Sequence, residues 1–237
     1  ATSARFDATG QRLVITGESG LAEIWSLRAA QAGSVLDPAS WARFTASGHV
    51  ALIPPTGALS GDRPLSIRDP ESGREMSATM ADAWATNGDY FDRVVQWTGS
   101  NATLRSVDSS GALKLISSVE TPCDSGGPFT PLAVSADGTR VSLACGDQYF
   151  VWHATRGGPL VGLRFSERSE SPLGPAATST FSFDGSRLAL QRSGVVEVSD
   201  TSSGQPVSAP LELSPRREAP LGIFGMPAWL MQFSPDG

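Results

Sequence analysis

Ser125 lies in the run CDSGGPF (123–129), a serine set between a carboxylate and two glycines. A hydroxyl in such a loop can attack a carbonyl if a base takes its proton and nearby N–H groups hold the oxyanion. The base would be an imidazole, and the chain has two, His49 in SGHVALI and His153 at the end of YFVWH. Cys123 and Cys145 are its thiols. They can form one bridge, or stay as a buried apolar Cys145 and an exposed Cys123. Two cysteines and one nearby His153 lack the short-spaced pairs of a zinc site, so no metal or cofactor is expected. Asp137, Asp184 and Asp236 each precede a glycine. Such carboxylates can bind calcium, but the expected role is to cap their own turns by accepting backbone N–H bonds. Asn101-Ala-Thr103 reads as a glycosylation sequon, without functional weight here.

The stretch Asp124–Pro128 resembles the nucleophile loop of trypsin-like serine proteases, which would make Ser125 the nucleophile. The rest of the chain departs from that family. Asp124 has no glycine before it, His49 lacks the Ala-Ala-His-Cys context, and His153 follows the serine where the family's histidine precedes it. A Gly-Pro-rich loop linking two repeats is the expected reading, and a serine hydrolase is the remote one.

The elements that must carry these residues repeat. FDATG (6–10) recurs as FTASG (44–48), ATNGD (85–89), VSADG (134–138), FSFDG (181–185) and FSPDG (233–237). The glycines, Gly10, Gly48, Gly88, Gly138, Gly185 and Gly237, are 38, 40, 50, 47 and 52 residues apart. Each step matches one four-stranded unit of a repeat fold. An alternating strand precedes the phrase, and the phrase itself is a turn that needs positive φ. A second apolar strand follows: RLVITG (12–17), HVALI (49–53), RVVQW (93–97), RVSLAC (140–145), RLALQ (187–191). A third comes next: EIWSL (23–27), LSIRD (65–69), TLRSV (103–107), YFVWH (149–153), VEVSD (196–200). Turns such as PESG, DSSG and TSSG lead to a weaker fourth strand, LKLISS (113–118) or PVSAPLEL (206–213). Helical periodicity is nearly absent. A β-sandwich also spaces short strands, but it has no reason to repeat one phrase at this interval. Phe6, Phe44, Val134, Phe181 and Phe233 hold equivalent first-strand positions and are expected in the core.

These phrases resemble the WD-repeat β-propeller family, whose units carry FSPDG at the first turn and a third strand ending in Trp-Asp. FSPDG (233–237) and FSFDGSRLAL (181–190) match closely. The Trp column reads Trp25, Arg68, Ser106, Trp152, Ser199, and the Asp column reads Ser26, Asp69, Val107, His153, Asp200. Trp and Asp never occur together, and no unit has the family's Gly-His pair. The TolB-like propeller class shares FSPDG, but IWSL and VWHA favour WD repeats. The resemblance implies an all-β fold, a β-propeller of four-stranded blades at about 4–41, 42–81, 82–119, 130–166 and 178–213. A sixth blade starts at 228–237. Such rings most often have seven blades, so the expectation is part of a longer chain, or one fragment of a ring completed by a separate chain.

Composition bounds the partners. The 237 residues are 40% hydrophobic and 18% charged, with net charge −6. That excludes disorder and argues against a nucleic-acid surface. No apolar run approaches a membrane span, so no membrane insertion is expected. The cations are seventeen arginines and Lys114, with abundant Ala and Gly, a bias associated with GC-rich bacterial genomes. Trp41, Arg43, Trp84 and Trp229 lie at or near first strands, where such propellers bind partners, and Trp and Arg make interface hot spots. The loop SPRREAPLGIFGMP (214–227) sets Arg216 and Arg217 beside Phe224. The loops 54–64 and 167–179 also exceed what the repeat needs. No Walker loop or kinase catalytic loop is present. The expected function is a non-catalytic scaffold or sensor for protein–protein contacts, within a larger bacterial signalling or defence protein. Its partner is another protein or another domain, and the expected location is cytoplasmic. The alternative is a propeller enzyme or small-ligand binder with its site in the central channel.

Overall fold

The computed structural model describes residues 3–16, 21–27, 31–39, 41–53, 65–78, 83–85, 92–98, 100–123, 129–155, 157, 160–165, 178–192, 195–212 and 231–234. Among them there is no helix. The described residues form twenty strands in five four-stranded antiparallel sheets. The first holds β1 (Ser3–Phe6), β2 (Arg12–Thr16), β3 (Leu21–Ser26) and β4 (Gln31–Pro38). The second holds β5 (Trp41–Phe44), β6 (Val50–Ile53), β7 (Ser66–Arg68) and β8 (Glu75–Ala78). The third holds β9 (Ala83–Ala85), β10 (Arg93–Thr98), β11 (Asn101–Val107) and β12 (Leu113–Glu120). The fourth holds β13 (Phe129–Val134), β14 (Arg140–Cys145), β15 (Gln148–His153) and β16 (Val161–Gly162). The fifth holds β17 (Thr178–Phe181), β18 (Arg187–Arg192), β19 (Val195–Asp200) and β20 (Leu211–Glu212). In every sheet each strand pairs with the next in sequence, so each is a simple meander.

The chain divides into two compact units, 1–121 with the first three sheets and 122–237 with the last two. In the first unit, Val14, Ala22, Ile24 and Leu36 of sheet one pack on Ala42, Phe44, Val50 and Leu52 of sheet two. The other face of sheet two, through Ala51, Leu65 and Ile67, packs on Val94 and Val107. Ser77 Oγ also donates to the Gly111 carbonyl at 2.6 Å across that interface. Sheet two is therefore covered on both faces. This is why Val50, Ala51 and Leu52 are consecutive and all buried, whereas a one-faced strand would alternate. Each large apolar side chain so buried contributes roughly 1.5–3 kcal/mol.

In the second unit, Leu132, Ala144 and Tyr149 of sheet four meet Leu190 of sheet five. Ser142 and Ser179 share a buried 2.7 Å hydrogen bond across the same interface. The sheets approach so closely that a Cβ on Gly204 would run into the Gly162 carbonyl oxygen, and the Arg164 amide donates to the Gly204 carbonyl at 3.1 Å.

The second and third strands lie where the sequence places them, within one to two residues at most ends. Three expectations differ: Val134, Phe181 and Phe233 are half-buried rather than in the core, and the last fourth strand and Phe6 depart as follows. PVSAPLEL yields only Leu211–Glu212 as strand, with a lone bridge from Pro206 to Ser199. Pro206 and Pro210 donate no N–H to a ladder, which keeps the strand short. Phe6 is 54% exposed although its equivalent Phe44 is 1% exposed, because only Phe44 has a sheet laid over it.

Candidate functional site

The first turn of a repeat shows how local sequence sets geometry. A polar side chain directly after the first strand accepts the amide that opens the second. Asp7 Oδ1 takes the Arg12 N–H at 3.1 Å, and Thr45 Oγ1 takes that of His49 at 3.0 Å. Ser135 Oγ takes the Arg140 N–H at 2.9 Å, and Ser182 Oγ takes that of Arg187 at 2.9 Å. All four acceptors are buried. Asp7 also holds the Arg12 guanidinium at 3.1 Å. Burial opposes ionisation of Asp7, but the Arg12 and Gln11 amides, the Thr9 hydroxyl and the Arg12 side chain hold its carboxyl below the usual range. This shared cap escaped sequence reading, because the position varies as Asp, Thr and Ser. Its signal was a small polar residue following each first-strand Phe or Val.

The turn aspartates take their expected structural part. Asp137 Oδ1 accepts the Thr139 N–H at 3.0 Å, and Asp184 Oδ1 accepts that of Ser186 at 3.0 Å. Asp236 lies outside the described residues. The third-to-fourth turns repeat this with Asp69, Asp108 and Asp200, each accepting two backbone amides. Hydroxyls of Ser182 and Ser186, with the Ser186 amide, lower Asp184 to about 2. Those of Ser202 and Ser203, with their amides, lower Asp200 to about 2. Among the described residues no three His, Cys, Asp or Glu gather as a metal would need.

Both imidazoles are hydrogen-bonded within the fold. His49 Nδ1 and Ser47 Oγ are hydrogen-bonded at 2.9 Å within one turn. His153 Nε2 is hydrogen-bonded to the Thr201 carbonyl at 2.9 Å, joining sheets four and five. Asp124 and Ser125 lie outside the described residues. Cys123 and Cys145 form a disulfide, with Cα atoms 5.3 Å apart. It ties the link after β12 to the end of β14, so neither cysteine supplies a thiolate.

Of the suggested contact residues, Trp41 opens β5 and pairs with Ile53, and half-buried Arg43 pairs with Ala51. Trp84 sits mid-strand in β9, paired with Val95. Trp229, Arg216, Arg217 and Phe224 lie outside the described residues.

What the topology does gather is chain length. In a meander, the first-to-second and third-to-fourth connections share one end of a sheet. The second-to-third connection and the link onward share the other. At the first end, connections run from four to seven residues, apart from 201–210. At the second end they range from the two residues 146–147 to 54–65, 121–128 and 163–177. The disulfide also sits at this end. No protein-family description matches the chain, and no curated protein resembles it closely enough to count as a relative.

Proposed function

We propose that the chain is a non-catalytic repeat scaffold, its sheets the blades of a WD-type propeller, that binds another protein or another domain of its own polypeptide. The setting we propose is a bacterial signalling or defence protein. The observation that carries the reading is the uneven distribution of connections. Between the described strands, nine of the ten connections at one end of the sheets run from four to seven residues, while those at the other end run from two to fifteen. A rigid frame with variable loops at one end is how binding surfaces are generally built. The bridge between Cys123 and Cys145, which leaves neither as a thiolate, supports a scaffold over a cysteine enzyme.

The test compares two sets of variants in capture experiments with intact chain as bait. Replacing 54–64 by a short Gly-Ser connection should abolish capture of a bound protein, with the thermal midpoint little changed. Substituting exposed turn residues at the opposite end, such as Ser110 or Ser202, should leave capture intact. Loss of capture from the Ser110 and Ser202 set alone would refute the assignment, as would substrate turnover by the isolated chain with no partner found.

A further inference from the structure

We infer that Arg192, Tyr149 and Phe165 form a binding site for a single carboxylate group, where sheets four and five meet at the end that bears the uneven connections. The site stands on side-chain packing alone, so it holds or fails separately from the capture experiments above.

Three elements bring the residues together. Arg192 closes β18, Tyr149 is the second residue of β15, and Phe165 lies three residues after β16. Alternate residues of a strand share a face, so Arg192 lies on the same face as Leu190, which packs with Tyr149, Leu132 and Ala144. Phe165 packs against that cluster. Its ring meets the Tyr149 ring edge to face, with centres 5.2 Å apart, and the Arg192 guanidinium lies 4.9 Å from its centre. One aromatic ring therefore holds both a cation and a phenol.

Both polar groups are buried and neither is matched. Arg192 is 9% exposed and Tyr149 2%. Arg12, Arg68, Arg93 and Arg140 are less buried, yet each forms an ion pair with a carboxylate. Arg192 forms none among the described residues, and Glu197, on the same face opposite Leu190, does not pair with it. Tyr149 Oη is shut off from solvent with no hydrogen-bond partner among the described residues. Burying such groups unmatched is costly unless something completes them.

Their chemistry selects the ligand. Burial holds the Tyr149 phenol in its protonated form, so it donates a hydrogen bond, and Arg192 donates with a permanent charge. Two donors side by side call for an anion. Arg192 brings one positive charge, Glu197 is buried on its face, and Asp147 acts on the phenol, so the site cannot match the two charges of a phosphate. A carboxylate brings one charge and two oxygens, one for each donor.

The experiment titrates the intact chain with sodium acetate, sodium phosphate and sodium chloride at matched ionic strength. Binding is read from the Arg192 Nε–H and Tyr149 ring resonances. Acetate should shift both saturably, with a Kd on the order of millimolar, and phosphate and chloride should not. Tyr149→Phe removes only the hydroxyl. It should weaken acetate binding by at least about tenfold and, without ligand, raise the thermal midpoint, because an unmatched buried hydroxyl is gone. A tyrosine that only packs would not give these opposite effects. Arg192→Met keeps a long side chain against Phe165 and should abolish saturation. Circular dichroism establishes that it folds, and if it does not, Tyr149→Phe decides alone. The peptide acetyl-Gly-Glu-Gly-amide, titrated in place of acetate, identifies the source. Tighter binding than acetate assigns the carboxylate to a protein side chain, and weaker binding assigns it to a small free acid. No saturable shift with acetate, or equal shifts with phosphate, overturns the inference. Unchanged affinity or a lowered midpoint in Tyr149→Phe overturns it equally.

Discussion

Gly204 and Gly10 both adopt positive φ, at 70° and 67°. Their surroundings differ, and so should the cost of a side chain. A Cβ at Gly10 meets nothing within 4 Å, whereas at Gly204 it collides with the backbone of the neighbouring sheet. Gly10→Ala should cost about 1 kcal/mol through its φ alone. Gly204→Ala should cost roughly 3 kcal/mol or more, since the Gly162 carbonyl must move. Chemical denaturation of the two variants checks the difference, and equal costs would remove the close approach of sheets four and five. The turn carboxylates give a pH dependence. Asp184 and Asp200 titrate near 2 in the folded chain, below the usual 3.8. A depressed carboxylate adds stability that is complete above the unfolded value and is lost as pH falls through the folded one. The melting temperature should therefore drop between about pH 4 and pH 2, and less steeply in Asp184→Asn.

At the scale of the element, coverage decides what a position is worth. Phe44 and Phe6 occupy the same place in the repeat, yet only Phe44 is enclosed. Phe44→Ala should cost about 3–5 kcal/mol. Phe6→Ala should cost below about 1 kcal/mol in the monomer, because little area is recovered from water. The disulfide lies within the second unit and ties Cys123 to the end of β14. Its sequence separation of 22 predicts, by loop-closure entropy, about 3 kcal/mol of stabilisation. Reduction, or the pair Cys123→Ser and Cys145→Ser, should lower the unfolding midpoint by a corresponding amount. A midpoint that does not move would mean that the bridge is not formed in solution, which alkylation without reductant and intact mass would confirm.

At the scale of the molecule, protection from hydrogen exchange should follow the stacking. The amides of β6, β14 and β18, buried on both faces, should exchange slowest. Those of the two-residue β16 and β20 should exchange fastest among the strands. An inverted order would mean that the sheets are not held mainly by their neighbours.

The sequence by itself determined the repeat unit. The recurring phrase ending in glycine fixes a turn with positive φ, and apolar alternation on either side fixes strands, both interactions within a few residues. It also announced the turn role of Asp137 and Asp184, whose acceptors and donors are adjacent in the chain. Coverage could not be read there. Phe6 and Phe44 carry the same local pattern, so nothing within a repeat says which copy has a sheet over it. The pairing of Cys123 with Cys145 was likewise open, since spacing constrains the loop but not the 5.3 Å approach of the two Cα atoms. Those outcomes depend on which sheet lies against which. That is a sum of many weak non-local contacts, and only the tertiary structure performs it.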